Sequence, residues 1–304
     1  MSFLLPVAGV TIYLPLIIGV GAMIGFLSGL LGVGGGFLLT PILMMIGIPP
    51  TVAAASDSCQ ILAASSSGVA AHFRQGNVDI KLGSILLLGG VAGGAIGVRT
   101  IHVLRALGNA DFAITITYIF VLGTVGGFMF VESLRSLLRG QLVPRSSRPV
   151  RAGGIFNRLP FQMRFPRSGV SHSIFVPFVL CALVGILAAI MGVGGGFIMV
   201  PMMVYLLRMP MRVAVGTDLF QILFTCAGIT FMQATANHTV DLTLALMLAV
   251  GSTIGAQIGA RLARVLRGDQ LKIVLASIVL IVAVKMVLGI ILTPSSLVTY
   301  AKGH

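Results

Sequence analysis

The chain has 304 residues, 57% of them apolar and 9% charged, with 20 Lys and Arg against 7 Asp and Glu for a formal charge of +13. A soluble domain carries about 25% charged residues, so water is not the main solvent of this sequence. The positive charge does not mark a nucleic-acid binder, because the basic residues sit in loops between apolar stretches and not on one folded face.

Crossing a hydrocarbon core of about 30 Å takes roughly 20 apolar residues as helix. Stretches of that kind run over 12–31, 53–71, 80–98, 112–131, 174–191, 213–231, 242–260 and 273–292, which defines an all-α polytopic membrane protein. The first basic residue is Arg74, so the opening stretch lacks the basic flank of a signal peptide, and the uncharged amino terminus reads as facing outward. Cys59, Cys181 and Cys226 all fall inside apolar stretches and read as small buried residues.

The first stretch ends in Gly25-Phe-Leu-Ser-Gly-Leu-Leu-Gly-Val-Gly-Gly-Gly-Phe37, followed by Pro41. The same block returns 160 residues later as Gly185-Ile-Leu-Ala-Ala-Ile-Met-Gly-Val-Gly-Gly-Gly-Phe197 with Pro201. Asp57-Ser-Cys-Gln60-Ile61 then matches Asp218-Leu-Phe-Gln221-Ile222, and Gly93-Gly-Ala-Ile-Gly97-Val-Arg99 matches Gly255-Ala-Gln-Ile-Gly259-Ala-Arg261. The chain is an internal duplication. The expected division is a membrane repeat over 1–131, an Arg-rich loop over 132–171 and a second membrane repeat over 172–304.

After each Gly-rich block only about 11 apolar residues remain before the next break, about 16 Å of helix, too short to cross. Each block therefore joins a hairpin that returns to its own side or breaks one crossing helix. With a returning hairpin plus three spans per copy, the second copy is inverted, and 16 of the basic residues lie inside against three outside. Four crossings per copy would leave 11 inside and eight outside, so the positive-inside rule selects two inverted-topology repeats, each a Gly-broken helix hairpin plus three transmembrane helices. The loop over 132–171, with eight arginines, is then cytoplasmic, and the protein is placed in the plasma membrane (the bacterial inner membrane). Its 156–165 stretch mixes basic and apolar residues, a pattern suited either to an anionic leaflet or to a solvated loop.

Irregular Gly-rich backbone is tolerated at membrane depth where it lines a cavity. Gly34, Gly35, Gly36 and Phe37, and their mates Gly194, Gly195, Gly196 and Phe197, open short helices whose free amides favour an anion, and two such ends related by inverted symmetry converge near the midplane. Gly93, Gly97, Gly255 and Gly259 read as helix-packing positions instead. A nucleotide P-loop would end in Gly-Lys-Ser/Thr, whereas Phe follows here. Asp57 with Gln60, and Asp218 with Gln221, stand one turn apart on one helix face. Either aspartate could carry a coupled proton, bind a cation or cap its helix, while Gln60, Gln221, Thr217 and Gln257 can hydrogen-bond a polar solute. The five histidines form no metal-ligand spacing, so neither a metal nor a cofactor nor an enzyme activity is expected. The Gly-x-x-x-Gly seams admit a homodimer.

The paired GVGGGF-x-x-x-P blocks, the VAVGTDLFQI stretch and the G-x-x-x-G-x-R stretches resemble the TauE/SafE family of membrane permeases. The resemblance implies transport of a small anion, commonly sulfite, sulfoacetate or another organosulfonate. Moving one negative charge out of an inside-negative cell gains about 2.3 kcal/mol per 100 mV, so export needs no coupling ion whereas uptake does, and Asp57 and Asp218 are the coupling candidates. An anion channel and a membrane-embedded enzyme acting on a lipid or quinone are the alternatives.

Overall fold

The computed structural model describes residues 2–31, 36–138, 162–165, 167–168, 170–262 and 268–291. Ten α-helices are described: α1 (Leu14–Leu31), α2 (Gly36–Met45), α3 (Pro50–Arg74), α4 (Ile80–Ala106), α5 (Ala110–Leu138), α6 (Phe175–Met191), α7 (Gly196–Tyr205), α8 (Met211–Met232), α9 (Leu242–Leu262) and α10 (Gly268–Ile291). Each of the eight expected apolar stretches coincides with one long helix, and the short α2 and α7 follow the Gly-rich blocks. Among the described residues four helices are long and apolar enough to cross a membrane, and α1, α2, α6 and α10 contribute shorter apolar segments. Large apolar side chains such as Leu88, Phe120, Phe128, Phe231 and Ile281 stand exposed on the outside of the bundle, as a lipid solvent requires.

The two halves are interleaved. α1 packs along α9 and α4 packs along α6, so each copy's first helix lies on a helix of the other copy. Glycine makes these seams. A Cβ on Gly93 would collide with the Ala182 carbonyl, and one on Gly255 with the Ala22 carbonyl; at Gly97 it would come within 2.7 Å of Ala189 and Ile186. The packing role read for these three positions is what the backbone shows, and Gly21, Gly25, Gly89 and Gly185 extend it.

α3 and α8 form the centre. Following α3 from Ile61 to His72, its neighbours on α8 run backward, from Ile222 and Cys226 through Leu219 to Gly216. The two helices are therefore antiparallel. By contrast α4 runs parallel to α8, with Gly83 against Thr217 and Phe220, Gly90 against Gln221 and Thr225, and Gly94 against Ile229.

Two short antiparallel strand pairs were not expected. β1 (Ser2–Leu4) pairs with β2 (Thr11–Tyr13) ahead of α1, and β3 (Gln162–Phe165) pairs with β4 (Val170–Ser173) ahead of α6. The boundary expected at residue 171 falls inside β4, and the end of the stretch read as either leaflet-associated or a solvated loop is strand β3; its residues 156–161 lie outside the described residues. Strand pairing satisfies backbone groups that an irregular lead-in would leave open.

Candidate functional site

The second Gly-rich break is described completely. Gly192 caps α6 with φ +75°, its N–H bonded to the Ala188 carbonyl, and Gly194 (φ +69°) and Gly195 (φ +84°) turn the chain into α7. L residues with side chains rarely hold these left-handed angles, which is why the break is glycine. Space demands it too, since a Cβ on Gly192 would collide with the Ala54 backbone of α3. Gly194, Gly195, Gly196 and Phe197 are all buried. In the first break Gly34 and Gly35 lie outside the described residues, whereas Gly36 and Phe37 are buried at the start of α2.

The two breaks meet. Phe37, second residue of α2, stacks on Phe197, second residue of α7, with ring centroids 4.4 Å apart and planes 8° from parallel. The amino ends of both short helices therefore lie on either side of one aromatic pair.

Asp57 and Asp218 are both fully buried, each with one carboxyl oxygen, Oδ1, lacking a hydrogen-bond partner. Asp57 Oδ1 faces Gly36, at 3.2 Å from where a Cβ on that glycine would sit. Its Oδ2 lies 2.8 Å from the Thr40 hydroxyl on α2. Tyr118 of α5, also fully buried, donates its hydroxyl to the Met191 carbonyl at the end of α6 and lies within electrostatic reach of Asp57. In the second copy Val200 occupies the place of Thr40, so Asp218 has no counterpart to that hydroxyl. Cys226 lies within electrostatic reach of both carboxyls.

The other expected site residues divide. Gln60 is buried and donates to the Ser252 hydroxyl across the α3–α9 contact. Gln221 is buried and donates to Thr225 one turn further along its own helix, at 2.9 Å. Gln257 is on an exposed face of α9.

Thr217 accepts a hydrogen bond within a group of residues that the sequence reading passed over. The N–H of Asp79 donates to the Thr217 hydroxyl at 3.0 Å, and Asp79 Oδ1 accepts from Leu82 N–H, capping α4. Asp79 Oδ2 accepts from both the N–H (3.1 Å) and the hydroxyl (2.7 Å) of Ser168, in the β3–β4 turn. The second copy repeats this arrangement. Asp241 N–H donates to the Ser56 hydroxyl at 3.0 Å, its Oδ1 caps α9 through Leu244 N–H, and its Oδ2 accepts from Val7 N–H in the β1–β2 turn. Each hairpin thus clasps a helix start belonging to the other copy, next to a hydroxyl that immediately precedes Asp57 or Asp218. The signal for it was present: Asn77-Val-Asp-Ile80 and Thr239-Val-Asp-Leu242 are repeat mates with an N-cap aspartate before an apolar run.

A buried pair of Gly-broken half-helices within a many-helix apolar bundle is the build of a membrane transporter. The comparisons with known proteins agree. The profile described as "Sulfite exporter TauE/SafE" matches residues 17–286, and the chain belongs to that family. It is 28% identical over 215 residues, 70% of this chain and 77% of the relative, to "Probable membrane transporter protein YjnA" of Bacillus subtilis (strain 168). It is 26% identical over 235 residues, 74% of this chain and 78% of the relative, to "Probable membrane transporter protein YunE" of the same organism. A shorter match, 32% identity over 126 residues, 39% of this chain and 26% of the relative, is to "Sulfite exporter TauE/SafE family protein 3" of Arabidopsis thaliana. No solved structure matches.

Proposed function

We propose that this transporter carries a small sulfur-containing anion, such as sulfite, sulfoacetate or another organosulfonate, outward by alternating access between two inverted repeats. The observation that carries the reading is the Phe37–Phe197 stack, which brings the amino ends of α2 and α7 together in the interior. Those ends present free amides and the positive ends of two helix dipoles to one volume, with neutral Gln60 and Gln221 one turn from the aspartates. Separation of the rings would open that volume, and their stacking closes it.

The inverted arrangement draws support from the antiparallel course of the repeat mates α3 and α8. Copies related by an axis along the membrane normal would run them parallel. The matching clasps then fall at opposite surfaces, Asp79 with Ser168 on the cytoplasmic side and Asp241 with Val7 on the outer side.

The test is flux. Purified protein in liposomes, loaded with labelled sulfite, sulfoacetate, taurine, sulfate or acetate, is expected to release the sulfonates or sulfite with saturable, counterflow-capable kinetics. Release of none of these anions above protein-free vesicles refutes the reading, and non-saturable flux without counterflow replaces it with a channel. Single cysteines at residues 106 and 74 should label from outside and inside respectively; labelling of both from one side refutes the assigned topology.

A further inference from the structure

Asp57 Oδ2 lies 2.8 Å from the Thr40 hydroxyl and its buried Oδ1 has no hydrogen-bond partner. Tyr118, which donates to the Met191 carbonyl in the break of the second copy, lies within electrostatic reach of the same carboxyl. Ionised, Asp57 leaves a charged oxygen without a donor in an interior closed to water; protonated, it carries no charge to compensate.

Resting on the transport reading above, we infer that Asp57 is the site of a transported proton, loaded together with the anion, and that Asp218 is not its equivalent. Geometry gives the reason for joint loading. The free Asp57 Oδ1 faces Gly36 at the amino end of α2, where the anion would bind. A carboxylate there occupies the positive helix end itself and repels an anion; a carboxylic acid does neither. In the outward direction the proton is taken from cytoplasmic water, sits on Asp57 Oδ2 while the anion is held, and returns to water outside, so a monoanion leaves without net charge, driven by its own gradient, and a dianion leaves with one net negative charge. No bond in the solute changes. Val200 stands at the repeat position of Thr40, so the second copy offers Asp218 no matching hydroxyl.

Among the described residues, the groups facing Asp57 that could share its titration are Tyr118 from α5 and Cys226 from α8, with Cys59 nearby on α3. Asp241, at the start of α9, contacts the adjacent Ser56 through its backbone N–H, its own carboxyl being held by Leu244 and Val7. None of these brings a positive charge to the carboxyl.

Two measurements on the full-length protein test this. Acid-minus-base infrared difference spectra are expected to show a buried carboxylic-acid carbonyl band that disappears in Asp57→Asn and shifts in the near-isosteric Thr40→Val and Tyr118→Phe. In proteoliposomes with an internal pH dye, a methanesulfonate gradient is expected to drive protons in the direction of the anion. That probe does not titrate near neutrality, so any proton moved is carried by the protein. Asp57→Asn should lose the proton flux while still binding the anion, and its anion affinity should not vary with pH. In the native protein the affinity should fall about tenfold per pH unit above the titration. Anion flux with neither the band nor a proton flux overturns the inference and leaves the transport reading intact. Stimulation by sodium at fixed pH overturns it in favour of a metal cation. A band in a protein that moves no anion overturns the transport reading alone.

Discussion

Removing the Asp79 side chain should cost far more than an ordinary helix cap. The carboxyl is almost fully buried and accepts from three donors: Leu82 N–H at 3.3 Å, Ser168 N–H at 3.1 Å and Ser168 Oγ at 2.7 Å. An N-cap alone is worth about 1 kcal/mol, and a hydrogen bond to a charged acceptor about 1.5–3 kcal/mol. Asp79→Ala also strands the Ser168 amide in a buried turn. Counting the cap once and allowing the two Ser168 bonds to share one oxygen, the loss comes to about 3–4 kcal/mol. Asp241→Ala forfeits the same cap but only one bond to its hairpin, from Val7 N–H, so it should cost about 1–2 kcal/mol less. The assay is equilibrium unfolding in mild detergent, with a double-mutant cycle between Asp79→Ala and Ser168→Ala, for which a coupling of about 1.5 kcal/mol is expected. A loss near 1 kcal/mol with no coupling to Ser168 would show that the hairpin is not held by this carboxyl. The clasp would then be a cap and nothing more.

Gly192→Ala should destabilise the protein and abolish flux, because it adds left-handed strain of about 1–2 kcal/mol to a collision with the Ala54 backbone of α3. Gly47→Ala is the control: its φ is +99° and its Cβ would meet nothing within 4 Å, so only the strain should appear in the melting temperature. Phe37→Leu and Phe197→Leu should show a coupling of about 1 kcal/mol in an unfolding double-mutant cycle, the worth of a stacked pair beyond its buried area. No coupling would mean that the rings do not hold the breaks together. Ser252→Ala should cost about 1–2 kcal/mol by leaving the buried Gln60 amide unpaired, Gln60→Ala less because the Ser252 hydroxyl keeps the Ala249 carbonyl, and the two should be non-additive.

Much of the helical framework was legible because lipid solvation imposes a length rule on every crossing segment, and the repeat doubled each signal. Gly93, Gly97 and Gly255 could be read as seams because only a missing Cβ allows such approach. The hairpins were not legible. Three- and four-residue strands carry no periodicity, and β2 is apolar enough to merge into the stretch read as one span with α1. Tyr118 and Thr40 escaped for another reason. Each lies in a mostly apolar helix, Tyr118 close to Thr115 and Thr117, and only the fold brings them near Asp57 from two other elements. Thr217 was read as able to hydrogen-bond a polar solute; that its hydroxyl also accepts from Asp79 N–H, a contact 138 residues away in sequence, only the fold reveals. Gln257, read likewise as able to hydrogen-bond a polar solute, is on an exposed face of α9, the seam glycine Gly255 being on its packed side.

The duplication separates mechanics from chemistry. What the copies share is mechanical: the Gly seams, the stacked Phe pair and the hairpin clasps recur at matching places, so a movement available to one half is available to the other with closely similar contacts. What they do not share is chemical. Thr40 stands where the second copy has Val200, so Asp57 has a hydroxyl neighbour at a place where the other copy offers none. Exchange between two states needs near-equal energies, which matched contacts provide, whereas a single coupled proton needs one site and not two. Restoring the missing link by Val200→Thr should therefore give Asp218 a hydroxyl neighbour while leaving the clasps intact. The variant should fold with native stability to within about 1 kcal/mol, because the swap changes shape little and the added hydroxyl gains the partner that Asp218 lacked. A second carboxylic-acid or shifted carboxyl band in its infrared difference spectrum, absent from Val200→Thr combined with Asp218→Asn, is the expected result. A spectrum identical to that of the native protein would mean that the hydroxyl does not govern which aspartate holds the proton.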